Sequence, residues 1–190
     1  MHVPRHARSL AELEPGEVDL VADAWQRRRA AHPDGYLHAI VNEGRSAGAS
    51  LPHTHSQLVW LAEKPPAVEA ESAGPHGELV FERDGLTVTC PWASRVPYEV
   101  SIAPVNPEAR AFASSLLAPA LRLLAATVRR LHALQGPVPL NAWLHDGPAW
   151  HIELFPRLSV LAGIELGAGI YVNPVAPEDA ARALRPAALD

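Results

Sequence analysis

The chain has 190 residues, which suits one domain with a proper core, and no apolar run is long enough to span a membrane. Its 48% hydrophobic and 19% charged residues are typical of a globular protein, and a net charge of -5 gives no reason to expect nucleic-acid binding. Cys90 is the only cysteine and no signal-peptide pattern occurs, so we expect one cytoplasmic domain over residues 1–190 without a disulfide.

The first half of the chain predicts a helix and two strands. Residues 1–13 resemble the end of a strand that leads into a turn. A helix is predicted from Pro15 to residues 32–35, because apolar residues recur at i, i+3, i+4 and i+7. Residues 36–41 and 53–61 predict two strands, which flank a loop of small residues. These are the apolar positions of the helix: Val18, Val21, Ala22 and Trp25.

The second half predicts two hairpins and a long helix. The predicted elements are, in order, a loop at 64–77, a hairpin of 78–82 and 86–90 around Asp84-Gly85, a strand at 98–103, a helix from Asn106-Pro107 to about Leu134 with a kink at Pro119, a hairpin of 138–144 and 150–155, a glycine-rich strand at 168–173 and a helix at 177–184. This order predicts an α+β fold, in which an antiparallel sheet carries helices on one side.

Three polar side chains of the 53–61 strand are candidates for catalysis. Strand side chains alternate between faces, so His53, His55 and Gln57 should point the same way. A neutral imidazole can attack phosphorus, provided that an acceptor such as a backbone carbonyl holds its other nitrogen. Gln57 could donate a hydrogen bond to a phosphate oxygen. The glycines of residues 42–50 would let backbone amides approach that phosphate.

Two other interpretations of the His-x-His pair remain open at this point. The two histidines could be a solvent-facing pair on an edge strand. They could also be two ligands of a zinc ion, which would need two further ligands, and the cysteine content supplies at most one. Cys90 itself lies in an alternating strand without a Cys or His partner nearby, which favours core packing over a nucleophilic role.

The residues of the loop and strand resemble a known family. Asn42-Glu-Gly-Arg-Ser-Ala-Gly-Ala-Ser-Leu-Pro-His-Thr-His-Ser-Gln57 is similar to the active-site segment of galactose-1-phosphate uridylyltransferases, which are members of the histidine-triad superfamily. Their pattern is Asn, a glycine loop and His-Pro-His-x-Gln. The similarity extends to residues 4–10, to Trp150-His-Ile-Glu-Leu-Phe-Pro-Arg157 and to residues 165–174. It implies a histidine-triad-like domain that lacks the family's N-terminal segment.

The resemblance implies a reaction and roles for five residues. It makes His55 the nucleophile that forms a covalent nucleotidyl-histidine and Gln57 the phosphate donor, and it assigns Asn42, Gly48 and Ser50 to the phosphate pocket. The implied activity is ping-pong transfer of UMP between UDP-glucose and a hexose 1-phosphate, in a homodimer. A related phosphorylase or hydrolase, which passes the nucleotidyl group to phosphate or water, is one alternative. A truncated, non-catalytic nucleotide-binding module is the other.

The resemblance also implies two metal sites. His6 and His53 match ligands of a structural zinc, whose remaining ligands in the family are a Cys-x-x-Cys pair that this chain does not have. A second divalent metal lies in some members where this chain has a group of polar residues on the last hairpin, with Glu71 as a weak candidate for a further ligand. A hydrogen-bonded polar cluster is the alternative for that group, which comprises His145, His151 and Glu153.

Overall fold

The computed structural model describes residues 1–69 and 76–185. Within these residues, seven strands form one antiparallel sheet in the order β2-β1-β6-β7-β5-β4-β3. The strands are β1 Tyr36–Glu43, β2 Ser56–Leu61, β3 Gly77–Arg83, β4 Leu86–Pro91, β5 Val100–Pro104, β6 Leu140–His145 and β7 His151–Pro156. The helices are α1 Pro15–Ala31, α2 Pro66–Glu69, α3 Leu117–Gln135, α4 Gly163–Ala168 and α5 Pro177–Leu184.

The apolar face of the sheet packs against the helices. Alternate residues of the central strands are buried, as in Leu37, Ala39 and Val41 of β1. Helix α1 packs on α3, and α5 packs against β3 and β4. The four apolar positions predicted for α1 are all buried. The predicted α+β fold with an antiparallel sheet is therefore confirmed, and among the described residues no helix has the length and apolar character needed to cross a membrane.

Both predicted hairpins form. Asp84 and Gly85 connect β3 to β4 with positive φ angles of 53° and 76°, the combination that a two-residue turn between antiparallel strands requires. Strands β6 and β7 pair from Leu140 with Pro156 to His145 with His151. Within the loop predicted over residues 64–77, α2 forms at Pro66–Glu69 and Gly77 already pairs in β3, while residues 70–75 lie outside the described residues.

The long helix begins ten residues later than predicted. Residues 106–110 do not start it, because Arg110 has a φ of 69° and the Ala111 amide donates to Asp146 instead. A short 3-10 turn follows, and α3 begins at Leu117. Pro119 therefore lies in the first turn, where its missing N–H costs no helical hydrogen bond, and it is not the site of a kink within the helix.

Two predicted strands are wrong. Residues 1–13 contain a 3-10 turn at Leu10–Glu12 and no strand, although their backbone bonds to Thr54. The glycine-rich segment 168–173 is also not a strand: α4 ends at Ala168, and Gly169 adopts the left-handed conformation that terminates it. Residues 170–173 pair with no strand of the described sheet, whose edges are β2 and β3.

Candidate active site

The two histidines of the His-x-His motif lie just before β2, and not within it as predicted. The strand begins at Ser56. Residues 53–55 bond to the N-terminal segment instead, because the Thr54 amide donates to the Ala7 carbonyl at 2.8 Å and the His2 amide donates to the Thr54 carbonyl at 3.1 Å. The orientation of the two rings is therefore set by these local contacts, and strand alternation does not determine it.

His55 has one ring nitrogen held and the other available. Its Nδ1 lies 2.9 Å from the His53 carbonyl oxygen, which can only accept, so Nδ1 carries the proton. In the neutral ring Nε2 then has a lone pair. The side chain is buried, but in the described part of the chain Nε2 is not one of the side-chain atoms that are both inaccessible to solvent and without a hydrogen-bond partner. His2 Nε2 and His38 Nδ1 are such atoms. This is the geometry expected of a nucleophilic imidazole.

The small-residue loop folds around two glycines with positive φ. Gly44 has a φ of 82°, and a Cβ there would come within 2.8 Å of Pro139, so both conformation and space require glycine. Gly48 has a φ of 80° in the left-handed region and closes a 3-10 turn at Arg45–Ala47. Ser50 follows and is exposed. The loop therefore turns tightly at the end of β1, beside residues 53–55.

A chain of side-chain amides connects three strands next to this loop. Asn141 Nδ2 donates to Asn42 Oδ1 at 2.6 Å and to the Ala47 carbonyl of the loop at 2.8 Å. Asn42 Nδ2 in turn donates to Gln57 Oε1 at 3.2 Å. Since Oε1 accepts this bond, the Nε2 donors of Gln57 remain available to a ligand. Gln57 and Asn42 are thus in direct contact.

Asn141 was missed by the sequence analysis. It pairs directly with Asn42 across β1 and β6, and directly opposite residues of antiparallel strands point to the same face. The signal that could have found it is the alternation Asn141, Trp143, His145 along the predicted hairpin. The strand order, which puts β6 beside β1, was needed to see that this face is shared.

A cleft of about 930 Å³ adjoins the loop. Asn42, Ser50 and His53 line it, together with the cationic side chains Arg8 and Arg45. Glu12 and Glu43 also line it, so its charge is mixed, and its size suits a small-molecule ligand. His55 and Gln57 are not among the residues that line it.

His6 and His53 lie together, with ring centroids 5.6 Å apart. Both ring nitrogens of His53 face carbonyl oxygens, Nδ1 that of Thr54 at 3.0 Å and Nε2 that of Arg5 at 2.9 Å. In the part of the chain that the structure describes, no third candidate ligand joins this pair. The two residues therefore do not complete a tetrahedral zinc site, and Glu71 lies outside the described residues.

His145, His151 and Glu153 form a buried group that could hold a metal. One candidate ligand atom from each lies within 4.8 Å of the others. His151 Nδ1 faces the Ala149 carbonyl at 3.1 Å, and its Nε2 faces Glu153 Oε1 at 3.4 Å. The His151 ring therefore lies between a carbonyl oxygen and the Glu153 carboxylate. Two imidazoles and a carboxylate are ligands that zinc accepts, and a cation there would tie the ends of β6 and β7 together.

Arg95 is the second residue that the sequence analysis missed. Its guanidinium bonds to Glu99 and Glu153 and lies over the rings of Trp143 and Phe155, at 5.5 and 5.2 Å from their centroids. Burial lowers the pKa of Arg95, but the bond and charges of the two glutamates outweigh it and raise the pKa overall. Burial alone would raise the pKa of Glu153, yet the contact with His151 and the charge of Arg95 hold it at about 2.

Comparisons with known proteins identify sequences similar to this chain. Residues 1–66 match the family model described as galactose-1-phosphate uridyl transferase, N-terminal domain. ADP-glucose phosphorylase of Arabidopsis thaliana is 28% identical over 98% of this chain and 63% of its own length. Galactose-1-phosphate uridylyltransferase of Thermotoga maritima is 27% identical over 95% of this chain and 70% of its own length. The chain thus spans about two thirds of the length of these relatives.

Solved structures show the same fold. The structure of the Arabidopsis ADP-glucose phosphorylase with bound ADP-glucose has a TM-score of 0.86 and 24% identity, covering 99% of this chain and 72% of that one. A uridylyltransferase structure has a TM-score of 0.87 and 23% identity, covering 97% and 72%. The resemblance found in residues 42–57 is therefore confirmed: this chain is similar to galactose-1-phosphate uridylyltransferases over most of its length.

Proposed function

We propose that the protein is a nucleotidyltransferase that takes a nucleoside monophosphate group from a nucleotide sugar and carries it on His55. The observation that carries this proposal is the His55 ring itself. Its Nδ1 is fixed by the His53 carbonyl, which leaves Nε2 with the lone pair that attack on phosphorus requires.

The proposed reaction has two displacements. In the first, Nε2 attacks the α-phosphorus of the nucleotide sugar, the bond to the bridging oxygen breaks and hexose 1-phosphate leaves. In the second, an oxygen of the acceptor attacks the same phosphorus and the N–P bond breaks, which restores the neutral imidazole. Each step exchanges one bond to phosphorus for another, so no oxidant or further co-reactant is needed.

The remaining residues act on the phosphate. The free Nε2 donors of Gln57 would bond to a nonbridging oxygen as charge develops there, a contribution worth about a hundredfold in rate or more. Asn42 orients Gln57 through its side-chain amide. Gly48 and Ser50 belong to the loop that would enclose the phosphate, and the conformation of Gly48 is open only to glycine at little cost.

Two acceptors have support from relatives. A hexose 1-phosphate acceptor corresponds to the uridylyltransferase relatives, and inorganic phosphate corresponds to the ADP-glucose phosphorylase. With phosphate as acceptor the products would be a nucleoside diphosphate and hexose 1-phosphate. The two candidates share the first displacement and differ only in the second.

Labelling separates these possibilities. We expect that incubation with ADP-glucose or UDP-glucose, each labelled in the α-phosphate, gives an acid-labile and alkali-stable label on the protein. Adding galactose 1-phosphate or inorganic phosphate to the isolated labelled protein should then release the label, and the compound that does so identifies the acceptor. If neither donor labels the protein, the chain is a nucleotide-binding module without this chemistry.

We also propose that the protein forms a homodimer through the segment 158–172. This segment follows β7 and exposes seven large apolar side chains, and exposed apolar patches often mark protein–protein interfaces. Sedimentation at twice the chain mass is expected, and sedimentation as a monomer would contradict it. The exposed residues are Leu158, Val160, Ile164, Leu166, Ile170, Tyr171 and Val172.

A further inference from the structure

Thr54, which lies between the two histidines, has all of its polar atoms hydrogen-bonded although it is only 1% exposed. Its amide donates to the Ala7 carbonyl at 2.8 Å, and its hydroxyl donates to Glu43 Oε1 at 2.8 Å. The carbonyl accepts from the His2 amide at 3.1 Å. The family pattern has proline at this position, and proline has neither an N–H nor a hydroxyl, so two of these three contacts depend on threonine.

One rigid peptide unit links these contacts to His55. The His53 carbonyl and the Thr54 amide belong to the same planar peptide. Its oxygen accepts from His55 Nδ1 at 2.9 Å, and its N–H is held by the Ala7 carbonyl. Any rotation of this plane would move the acceptor that fixes the tautomer and orientation of the His55 ring. The contacts that fix Thr54 therefore also fix the His53 carbonyl oxygen, which accepts from His55 Nδ1.

The Glu43 carboxylate links the Thr54 side chain to the start of the small-residue loop. Glu43 is the last residue of β1, directly before Gly44, and it is only 5% exposed. Its Oε1 accepts from the Leu10 amide at 2.6 Å as well as from Thr54. The Thr54 hydroxyl donates its hydrogen bond to Glu43. His2 Nδ1, at 3.0 Å from Oγ1, is therefore the donor in the bond between His2 and Thr54.

We propose that Thr54 and Glu43 are positioning residues. The hydrogen bond from the Thr54 hydroxyl to the Glu43 carboxylate fixes His55, the proposed nucleophile, relative to the small-residue loop. The inference rests on the proposed function and deepens it. The Thr54 side chain is 1% exposed, and Oε1 of Glu43 is taken by the Thr54 hydroxyl and the Leu10 amide. Both act through the backbone that carries His55 and through the loop that begins at Gly44.

The test is Thr54→Val, which keeps the shape of the side chain and removes the hydroxyl. At saturating labelled donor, the rate of His55 labelling should fall by about ten- to a hundredfold, as expected when a reacting group is misplaced by a fraction of an ångström to 1 Å. The dissociation constant of the donor should stay within about threefold of the wild-type value, because the phosphate contacts are kept. Labelling at the wild-type rate would overturn the proposal.

Two further variants act as controls. Thr54→Ser keeps the hydroxyl and should recover most of the rate, and a rate as low as that of Thr54→Val would contradict the role of the hydrogen bond. Thr127→Val is the matched control, since Thr127 is also 1% exposed and its hydroxyl has no partner among the described residues. It should label at the wild-type rate. If Thr54→Val does not fold, Glu43→Gln weakens the same bond and should also slow labelling.

Nitrogen NMR of the His55 ring separates this proposal from the proposed function. In the wild type Nδ1 should be protonated and Nε2 bare, and Thr54→Val should give a mixture of the two tautomers. A wild-type protein that shows this tautomer but takes up no label would contradict the proposed function and leave the positioning role supported. Identical ring signals in the wild type and Thr54→Val would overturn the positioning role whatever the labelling shows.

Discussion

His55→Ala should remove the protein-bound label completely and lower turnover by at least about a thousandfold. The reason is that Nε2 of this ring supplies the electron pair that forms the N–P bond, and alanine has no group to replace it. Donor binding should persist, because the small-residue loop and the Gln57 amide are unchanged. The measurement is label incorporation from α-phosphate-labelled ADP-glucose and UDP-glucose, together with calorimetric titration of the same donors.

His32→Ala is the matched control for this experiment. His32 is an exposed histidine at the end of α1, and its ring lies 5.3 Å from that of Trp60, on a part of the surface outside the candidate site. It should label like the wild type. Undiminished label on His55→Ala, or label mapped by mass spectrometry to another residue, would rule out His55 as the nucleophile.

The parts of this site that sequence could predict are those fixed by local pattern. The alternation of β6 and β7 and the Asp84-Gly85 turn specify hairpins through short-range physics, and the spacing of His53, His55 and Gln57 identified the segment that is proposed to carry the chemistry. The resemblance supplied the assignment of His55 within that segment. The sequence analysis required that an acceptor hold one ring nitrogen of His55. Which nitrogen is held, and by which carbonyl, depends on a backbone that is not a strand.

The features of the fold and the site that were not predicted depend on contacts between residues that are distant in sequence. The helix predicted from Asn106-Pro107 has a good capping pattern, yet the Ala111 amide is taken by Asp146, 35 residues away, and the helix begins at Leu117. Arg95 similarly reaches Glu153 across 58 residues. No periodicity marks such pairs, because they form only once the strand order has brought β5 beside β7.

Arg95→Met should lower the free energy of unfolding at pH 7 by about 1–3 kcal/mol, the cost of leaving buried carboxylates without a hydrogen-bond partner, since the Arg95 side chain itself is 33% exposed. Methionine keeps an unbranched stem against Trp143 and Phe155, so the change isolates the charge. It leaves two carboxylates without their guanidinium, Glu99 at 3% and Glu153 at 8% exposure. Urea unfolding in metal-free buffer measures the loss.

Two variants set the scale for this loss. Arg95→Lys keeps one charge but cannot bridge two carboxylates with a planar fork, so an intermediate loss is expected. Arg182→Met breaks an ion pair with Asp179 whose side chains are 70% and 61% exposed, and it should cost less than about 1 kcal/mol. An Arg95→Met protein as stable as Arg182→Met would show that the buried pair contributes no more than a surface one.

The loss caused by Arg95→Met should shrink as the pH falls. In the wild type the pKa of Glu153 is held at about 2, below its ordinary 4.5, so the unfolded chain takes up a proton near pH 4.5 and the folded protein does not until about pH 2. The stabilisation is therefore complete above pH 4.5 and is lost as the pH falls through this window. Without the charge of Arg95, the pKa of Glu153 is higher than in the wild type, and the folded variant accepts the proton at a higher pH. Unfolding curves at pH 7 and at pH 3 should give a smaller difference between variant and wild type at pH 3, and an equal difference would show that the ion pair with Glu153 is not the source of the loss.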